Sequence, residues 1–280
     1  MPVTNQPARP ADPSTSAPSP EKPRSIDSSA LKKATPRGSP ARQAHFVLQG
    51  KGGVGKSYIA SLIAQFLAGQ GRLGSCFDTD PLNASFVGIQ ALGAVPVELL
   101  TPAQAVNVKG VDRLIENIVS GCKDVVIDNG AASFLPLSHY LIANNIAGVL
   151  TEHGVRMVVH TVITGGSGGL DTLKGLDALV EHFAGAADVV VWVNEYFGTA
   201  KFRGTDFEHT AVFTNHHGKI RGVIYLRALD PHLFAPNLAE LLESKMTFDE
   251  AAASPDFMLM EKSRLHRIKN DIWTQLESVV

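Results

Sequence analysis

The sequence predicts a doubly wound α/β fold, in which a mostly parallel sheet carries helices on both faces. Strand-like and helix-like segments alternate along the chain from Ala44 onward. Several strand segments contain an unbroken apolar run, for example "VVVWV" within "DVVVWVNEY" at 188–196, as in strands that are buried on both faces. A glycine-rich turn follows the first strand and opens a helix, which is an arrangement found at the ligand edge of such sheets.

The chain begins with a segment of different composition. Residues 1–43 hold nine of the sixteen prolines and no Phe, Trp or Tyr, and seven Lys/Arg against three Asp/Glu give the segment a net charge of +4. Such a segment buries too little apolar surface to offset the entropy of ordering. We therefore expect a disordered basic tail at 1–43 and a single domain at 44–280. Contact of the tail with nucleic acid or anionic lipid is the alternative to a solvated linker.

The first strands and helix of the domain are the clearest elements. "AHFVLQG", from Ala44, is a short apolar strand, and residues 56–70 carry apolar side chains at helical spacing before glycines end the helix. The alternation then continues through a strand at 74–80, a helix at 111–119, strands at 124–130 and 155–163, a helix at 170–183, and strands at 188–196 and 221–226.

The last twenty residues predict an amphipathic helix. Its apolar stripe is Leu265, Ile268, Ile272, Leu276 and Val279, and basic residues gather near its start at Lys262, Arg264, Arg267 and Lys269. We expect the stripe to pack on the body of the domain. Non-specific DNA contact is kept as an alternative, and membrane contact is disfavoured because the later polar positions include no basic residue.

Composition indicates an ordinary soluble protein. The net charge is −2 and 44% of the residues are apolar, with no apolar run of membrane-spanning length. The first 25 residues lack the apolar segment of a secretory signal. Cys76 and Cys122 form no CxxC motif, so a reducing cytoplasm is the expected location.

The stretch "GKGGVGKS" matches the phosphate-loop pattern G-x-x-x-x-G-K-[ST] at Gly50, Gly55, Lys56 and Ser57. Glycines let backbone N–H groups converge on phosphate oxygens, and the positive end of the following helix adds to the attraction. Lys56 is predicted to reach the β- and γ-phosphates, and the Ser57 hydroxyl to ligate Mg²⁺. The predicted nucleotide contacts from the loop are Gly50, Gly52, Gly53, Val54, Gly55, Lys56, Ser57 and Tyr58.

Carboxylates follow two other predicted strands. Asp128 ends "VVID", which has the form of a Walker B strand whose carboxylate holds Mg²⁺ through water. Asp78 and Asp80 lie in "CFDTDP", one helix and one strand after Lys56. Because the carboxyl ends of parallel strands meet at one edge of a sheet, we expect these groups to lie beside the loop.

Lys51 gives the loop the form "KGGVGKS", which resembles the deviant phosphate loop of the ParA/MinD family of dimerising ATPases. The resemblance implies that Lys51 crosses a dimer interface to the phosphates of the partner's nucleotide, while Lys56 serves the nucleotide in its own subunit. It also implies that Asp80 orients the hydrolytic water and that Asp78 lies near the metal. Asn194, at the end of "VVWVN", is implied to hydrogen-bond the adenine edge.

Later segments narrow the resemblance to one group of plasmid conjugal transfer proteins, from about Ala44 to the C-terminus. They include "DTDPLNASF", "VVIDNGAASFLPLSHYLI", "VVHTVITGG" and "TFDEA". This resemblance implies a cytoplasmic, Mg²⁺-dependent ATPase that acts in plasmid conjugation. ATP and Mg²⁺ are the implied cofactors. The implied partners are a second copy, in an ATP-dependent homodimer, and other conjugal transfer or relaxosome proteins.

Two positions depart from the ATPase pattern. Tyr58 replaces the usual second Ser/Thr after the loop lysine, and Leu82-Asn83 stand where Gln is common. We therefore expect lower nucleotide affinity and hydrolysis that is slow or partner-stimulated. Two alternatives stay open: an ATP-dependent small-molecule ligase or kinase on the same scaffold, and a nucleotide-binding module with little turnover.

Overall fold

The structure, a computed structural model, describes residues 42–80, 85–183 and 185–280. The tail predicted at 1–43 lies outside the described residues except for Arg42 and Gln43, which belong to the first strand. That strand begins two residues before the predicted domain boundary at Ala44. The departure at Leu82-Asn83 also lies outside the described residues.

The described residues form a seven-stranded parallel sheet, in the order β3-β2-β4-β1-β5-β6-β9. A two-stranded antiparallel hairpin, β7-β8, stands apart from it. The strands are β1 (Arg42–Val47), β2 (Leu73–Asp78), β3 (Val95–Pro96), β4 (Asp124–Asp128), β5 (Val155–Thr164), β6 (Asp188–Asn194), β7 (Lys201–Phe202), β8 (Thr205–Asp206) and β9 (Ile220–Leu226).

Helices cover both faces of the sheet, which confirms the predicted doubly wound fold. They are α1 (Lys56–Gly69), α2 (Val108–Ser120), α3 (Phe134–Ala143), α4 (Ile146–Glu152), α5 (Gly169–Phe183), α6 (Ala211–His216), α7 (Ala235–Glu243), α8 (Phe248–Ala253) and α9 (Leu259–Leu276). None of the helices in the described part of the chain has the length and apolar character that crossing a bilayer requires.

The two faces of the sheet carry separate cores. On one face, Val47, Val158 and Trp192 pack with apolar residues of α1, α7, α8 and α9. On the other, residues such as Phe46 and Ile127 pack with α2, α3, α4 and the end of α5. The stripe predicted on the C-terminal helix is buried in the first of these cores, so its apolar side is used for packing.

The basic residues at the start of α9 also contact the body of the domain. Arg264 donates to Asn237 Oδ1 at 3.2 Å, and the Arg267 guanidinium lies 5.3 Å from the centre of the Phe234 ring. Lys269 pairs with Asp249.

Ion pairs join the strands at their amino ends. The Arg72 guanidinium, just before β2, lies 2.7 Å from Asp124 Oδ2 at the start of β4. Asp188, at the start of β6, pairs with Arg156 of β5 and with Arg221 of β9, the latter at 3.2 Å. The carboxyl ends of the strands, at the opposite edge, carry the predicted site residues.

Candidate nucleotide site

The phosphate-loop motif forms the turn between β1 and α1. Leu48 continues the strand, donating its N–H to His160 O at 2.8 Å. Gly55, the last residue before the helix, has φ +97°, a left-handed conformation that side chains disfavour. Gly50 lies against α3, where an added β-carbon would be 2.8 Å from Phe134 Cδ1. The loop thus has the strand–loop–helix context that the motif requires.

Lys56 is the first residue of α1 and is 8% exposed. Its ammonium donates to Lys51 O at 3.1 Å, which places the charge over the loop. Burial lowers the pKa of Lys56, and the nearby carboxylates Asp128 and Asp80 act in the opposite direction. A partly desolvated ammonium in this position attracts an anion strongly, because little solvent screens the charge.

Lys51 lies on the outer side of the loop. Its Nζ is 3.1 Å from Asp171 Oδ2 at the start of α5, and the two side chains are 45% and 58% exposed. An ion pair this exposed contributes little to stability and exchanges easily for another partner.

Asp128 ends β4 and is 1% exposed. Neither carboxylate oxygen has a well-formed hydrogen bond within the described residues. Burial raises the pKa of Asp128 to about 7; the Ser57 hydroxyl and Lys56 lower it, while Asp78 and Asp80 raise it. A buried carboxylate beside a serine hydroxyl is an all-oxygen donor set, which suits Mg²⁺. The residues present therefore fit the implied metal.

Asp78 stands beside Asp128, because the two residues pair across β2 and β4. Its oxygens accept three backbone N–H groups, from Asp80 at 3.0 Å, Phe86 at 3.2 Å and Val87 at 3.1 Å. Burial raises the pKa of Asp78, and these three bonds oppose the rise. Asp78 is thus a fixed carboxylate that also shapes the chain after β2.

Asp80 lies over Gly130, which follows β4 closely. A β-carbon on Gly130 would be 3.0 Å from Asp80 Cγ. The charge of Asp80 acts on both Lys56 and Asp128, so the carboxylate belongs to the same cluster.

Asn194 ends β6 and contacts the phosphate loop directly. Its Nδ2 donates to Val54 O at 3.0 Å, and its Oδ1 accepts from Tyr196 N at 3.1 Å. One amide hydrogen and one lone pair are left for a ligand. Asn194 therefore supports the loop, a role that the sequence did not indicate.

Tyr58 lines two pockets that border the loop. One, of about 460 Å³, is lined by Lys56, Ser57 and Asp80. The other, of about 990 Å³, is largely apolar, with walls from the loop after β6, the end of β9, α7 and α9, including Asn194, Tyr196, Tyr225, Phe234, Leu238 and Ile272. Burial raises the pKa of Tyr58, whose ring packs against the core. The phenol stays neutral at physiological pH.

The sequence analysis did not predict a network of polar side chains that lies beneath the loop. The Thr79 hydroxyl donates to Asp128 O at 3.0 Å, and Ser133 Oγ donates to Asn129 Oδ1 at 2.8 Å. Gln49 is 1% exposed and binds Gly50 N–H. The position of Gln49, a polar residue at the end of an apolar strand, could have indicated a functional residue. Its partners could not be identified, because they come from distant parts of the chain.

Two curated proteins of Escherichia coli, each named Protein TraL, are similar to this chain over most of its length. The first is 42% identical over 234 residues, which cover 84% of this chain and 97% of the relative. The second is 40% identical over the same shares of both chains.

The chain belongs to the TraL family.

No family model matches this TraL-family chain. Among solved structures, it is similar to the MinC:MinD cell division protein complex of Aquifex aeolicus, with a TM-score of 0.48 and 14% identity, over 85% of this chain and 96% of the other. The order of the parallel sheet, rather than this likeness, defines the fold.

Proposed function

We propose that this TraL-family protein binds ATP with Mg²⁺ and acts in plasmid conjugal transfer as a dimeric switch. ATP closes a homodimer that recruits partners, and slow or partner-stimulated hydrolysis releases them. The observation that carries the proposal is that a buried Lys56 ammonium lies over a phosphate loop while a buried Asp128 carboxylate, beside the Ser57 hydroxyl, ends the neighbouring strand.

Each group has a part in binding. The loop N–H groups and Lys56 bind the β- and γ-phosphates. Ser57 and Asp128 hold Mg²⁺, with Asp78 nearby, and the bound ion neutralises charge on the phosphates. Asp80, over Gly130, orients the attacking water.

The apolar pocket beyond Tyr58 takes the nucleobase. It begins at the phosphate loop, with Gly53 and Gly55, and its apolar lining suits a flat ring system. Asn194 offers one remaining donor and one acceptor at the mouth of this pocket.

Lys51 makes the association of two subunits depend on bound nucleotide. In the single chain it pairs with the exposed Asp171. A second nucleotide brought against the loop presents several negative charges, which outcompete one solvated carboxylate. Each subunit then supplies a lysine to its partner's phosphates.

The experiment is light scattering with and without ATP and Mg²⁺. We expect the wild-type protein to shift from monomer to dimer with both ligands. Lys51→Ala should abolish the shift while nucleotide binding, measured separately with a fluorescent ATP analogue, stays mostly intact. Lys174→Ala removes an exposed lysine from the same helix as Asp171 and is the matched control, which should dimerise as the wild type does.

A dimer that forms equally well without nucleotide contradicts the switch. Dimerisation of Lys51→Ala at the wild-type ATP concentration would remove that lysine from the interface. Participation of conjugal transfer or relaxosome proteins and of DNA is tested by capture on the immobilised protein from conjugating cells, with and without ATP.

A further inference from the structure

The side-chain amide of Gln49 joins the phosphate loop to β5 and α5. Its Oε1 accepts Gly50 N–H at 2.8 Å, and its Nε2 lies 2.9 Å from Val162 O and 3.3 Å from Thr172 O. Gln49 is 1% exposed, so these contacts are shielded from solvent. A buried amide that is bonded at both ends holds its partners in one relative position, because breaking a bond there leaves a polar group unsatisfied.

Gly175 leaves the space that this amide occupies. It lies inside α5, where glycine is less favourable than alanine. Its φ is not in the left-handed region, so the backbone does not require glycine. A β-carbon at Gly175 would lie 2.6 Å from Gln49 Oε1 and 3.1 Å from Nε2. The helix therefore gives up helix propensity at Gly175, where a larger residue would overlap the Gln49 amide.

The first turns of α5 contact both sides of Gly50. Thr172 O meets the amide of Gln49, and the preceding residue, Asp171, lies 3.1 Å from the Lys51 ammonium. The Thr172 hydroxyl in turn accepts Thr164 N–H at 3.1 Å, which fixes the start of the helix to the end of β5. The adjacent residues Asp171 and Thr172 of the helix thus contact Lys51 and Gln49, which flank Gly50 in the loop.

We infer that Gln49 is a positioning residue of the nucleotide site, through which the first turns of α5 set the shape of the phosphate loop. The inference rests on the proposed function, because it concerns the affinity of that site. A displacement of α5 breaks the Gln49 bonds and frees the peptide with which the loop begins. By linkage, a nucleotide that fixes the loop also fixes α5.

Gly175→Ala tests the inference without touching the loop. The new methyl group displaces the end of a side chain rather than backbone, and alanine raises the helix propensity of α5, so the protein should fold, with a melting temperature lowered by a few degrees at most. We expect nucleotide affinity to fall about tenfold, the size of effect that loss of a positioning hydrogen bond allows. Gly69→Ala, in α1 with no atom within 4 Å of the added carbon, is the control and should bind as the wild type does.

A double-mutant cycle separates positioning from general damage. Gln49→Ala should weaken binding by itself, and adding Gly175→Ala to it should cause no further loss, because the displaced group is gone. Independent, additive effects of the two changes would overturn the inference, as would wild-type affinity in Gly175→Ala.

Hydrogen exchange of the Gly50 amide, followed by NMR without nucleotide, tests the same contact independently of binding. We expect exchange to be about tenfold faster in Gly175→Ala and unchanged in Gly69→Ala. Unchanged exchange in Gly175→Ala overturns the inference. If exchange rises but the wild-type protein binds no nucleotide, the coupling stands and the proposed function fails.

Discussion

Asp124 and Asp128 begin and end the same buried strand, but their carboxylates differ in the partners they have. Asp124 accepts Gln43 N–H at 2.7 Å and forms an ion pair with Arg72, whose guanidinium is 2.7 Å away although poorly aligned for a hydrogen bond. Asp128 has no well-formed partner among the described residues. Burial of the Asp128 carboxylate opposes folding, because the Ser57 hydroxyl and Lys56 do not offset the loss of solvent, and the residue therefore lowers the stability of the domain.

Asp128→Asn should stabilise the nucleotide-free protein. The raised pKa, about 7 in the folded state, means that the ionised form opposes folding above the ordinary pKa of an aspartate. At pH 8 we expect the free energy of unfolding, measured with urea, to rise by about 1 kcal/mol. The same variant should lose the stabilisation that Mg²⁺ and ATP give the wild type.

Asp124→Asn is the matched control at the other end of β4. Because it removes a paired charge, the free energy of unfolding should fall by about 1–3 kcal/mol while the response to Mg²⁺ and ATP persists. A loss of stability in Asp128→Asn would contradict the conclusion that burial of this carboxylate is not compensated by its neighbours.

Among elements, the adjacent strands β1, β5 and β6 share a row of buried, hydrogen-bonded rings. Trp192 Nε1 donates to His160 Nδ1 at 3.0 Å, which leaves the proton of that ring on Nε2. His160 Nε2 lies 2.9 Å from His45 Nδ1, so it donates there. Burial lowers the pKa of His160 to about 3 and that of His45 well below its ordinary value, with Arg221 contributing in both cases. Both rings are therefore neutral in the folded protein.

The buried histidines predict that the stability of the protein decreases in acid. Below about pH 6.5 the unfolded chain protonates both histidines while the folded one does not, so stability falls as the pH is lowered, by up to about 1.4 kcal/mol per pH unit for each histidine. His45→Gln should reduce the loss between pH 7 and pH 5, measured by urea unfolding. Comparison with the wild type cancels the contribution of Asp128, whose raised pKa acts in the opposite direction.

His232→Gln, at an exposed position, is the control for replacing a histidine. Its pH profile should run parallel to that of the wild type. If His45→Gln also ran parallel, the row of buried rings would not be the source of the decrease in acid.

Elements with a strong local pattern were predictable, and those that depend on tertiary contacts were not. The apolar runs of β4 and β6 and the spacing in α1 place those elements within two residues of their observed bounds. The hairpin β7-β8 has strands of two residues each, too short for any period. The helix α3 was missed because "FLPLSHYLI" is apolar on most sides, which gives no clear period, and α4 because its seven residues are too few to show one.

The site residues likewise divide into those that a local sequence pattern predicts and those that depend on tertiary contacts. Residues within one motif, from Gly50 to Ser57, were predictable because the motif fixes their spacing. Asp78, Asp128 and Asn194 were predictable as site residues because each ends an apolar strand segment. The contacts of Gln49 with Val162 and Thr172 were not predictable, because they depend on the register of β1 and β5 and on how α5 packs.

For the molecule as a whole, the first described residue ties three segments together. The Arg42 guanidinium donates to Val119 O and His153 O, each at 3.2 Å, and to Gly121 O. It thereby satisfies carbonyls at the carboxyl end of α2, where a positive charge is favoured. The domain therefore includes a residue that composition assigns to the tail.

Arg42→Ala in the full-length protein should lower the free energy of unfolding by about 1–3 kcal/mol, because three carbonyl groups lose a charged donor. Arg37→Ala, which changes an arginine in the predicted tail, should leave it unchanged. Equal effects in urea unfolding would place the start of the domain elsewhere.

The ion pairs at the amino ends of the strands have a mechanical consequence. Arg72–Asp124 and Arg156–Asp188–Arg221 fasten neighbouring strands to one another at the edge farthest from the loop. At the opposite edge, Asp128 has no such fastening among the described residues. The strands are therefore joined by charged pairs at the amino edge, whereas at the carboxyl edge they are joined by neutral hydrogen bonds such as that from Thr79 Oγ1 to Asp128 O. Rearrangement at the ligand edge can thus proceed while the opposite edge of the sheet keeps its geometry.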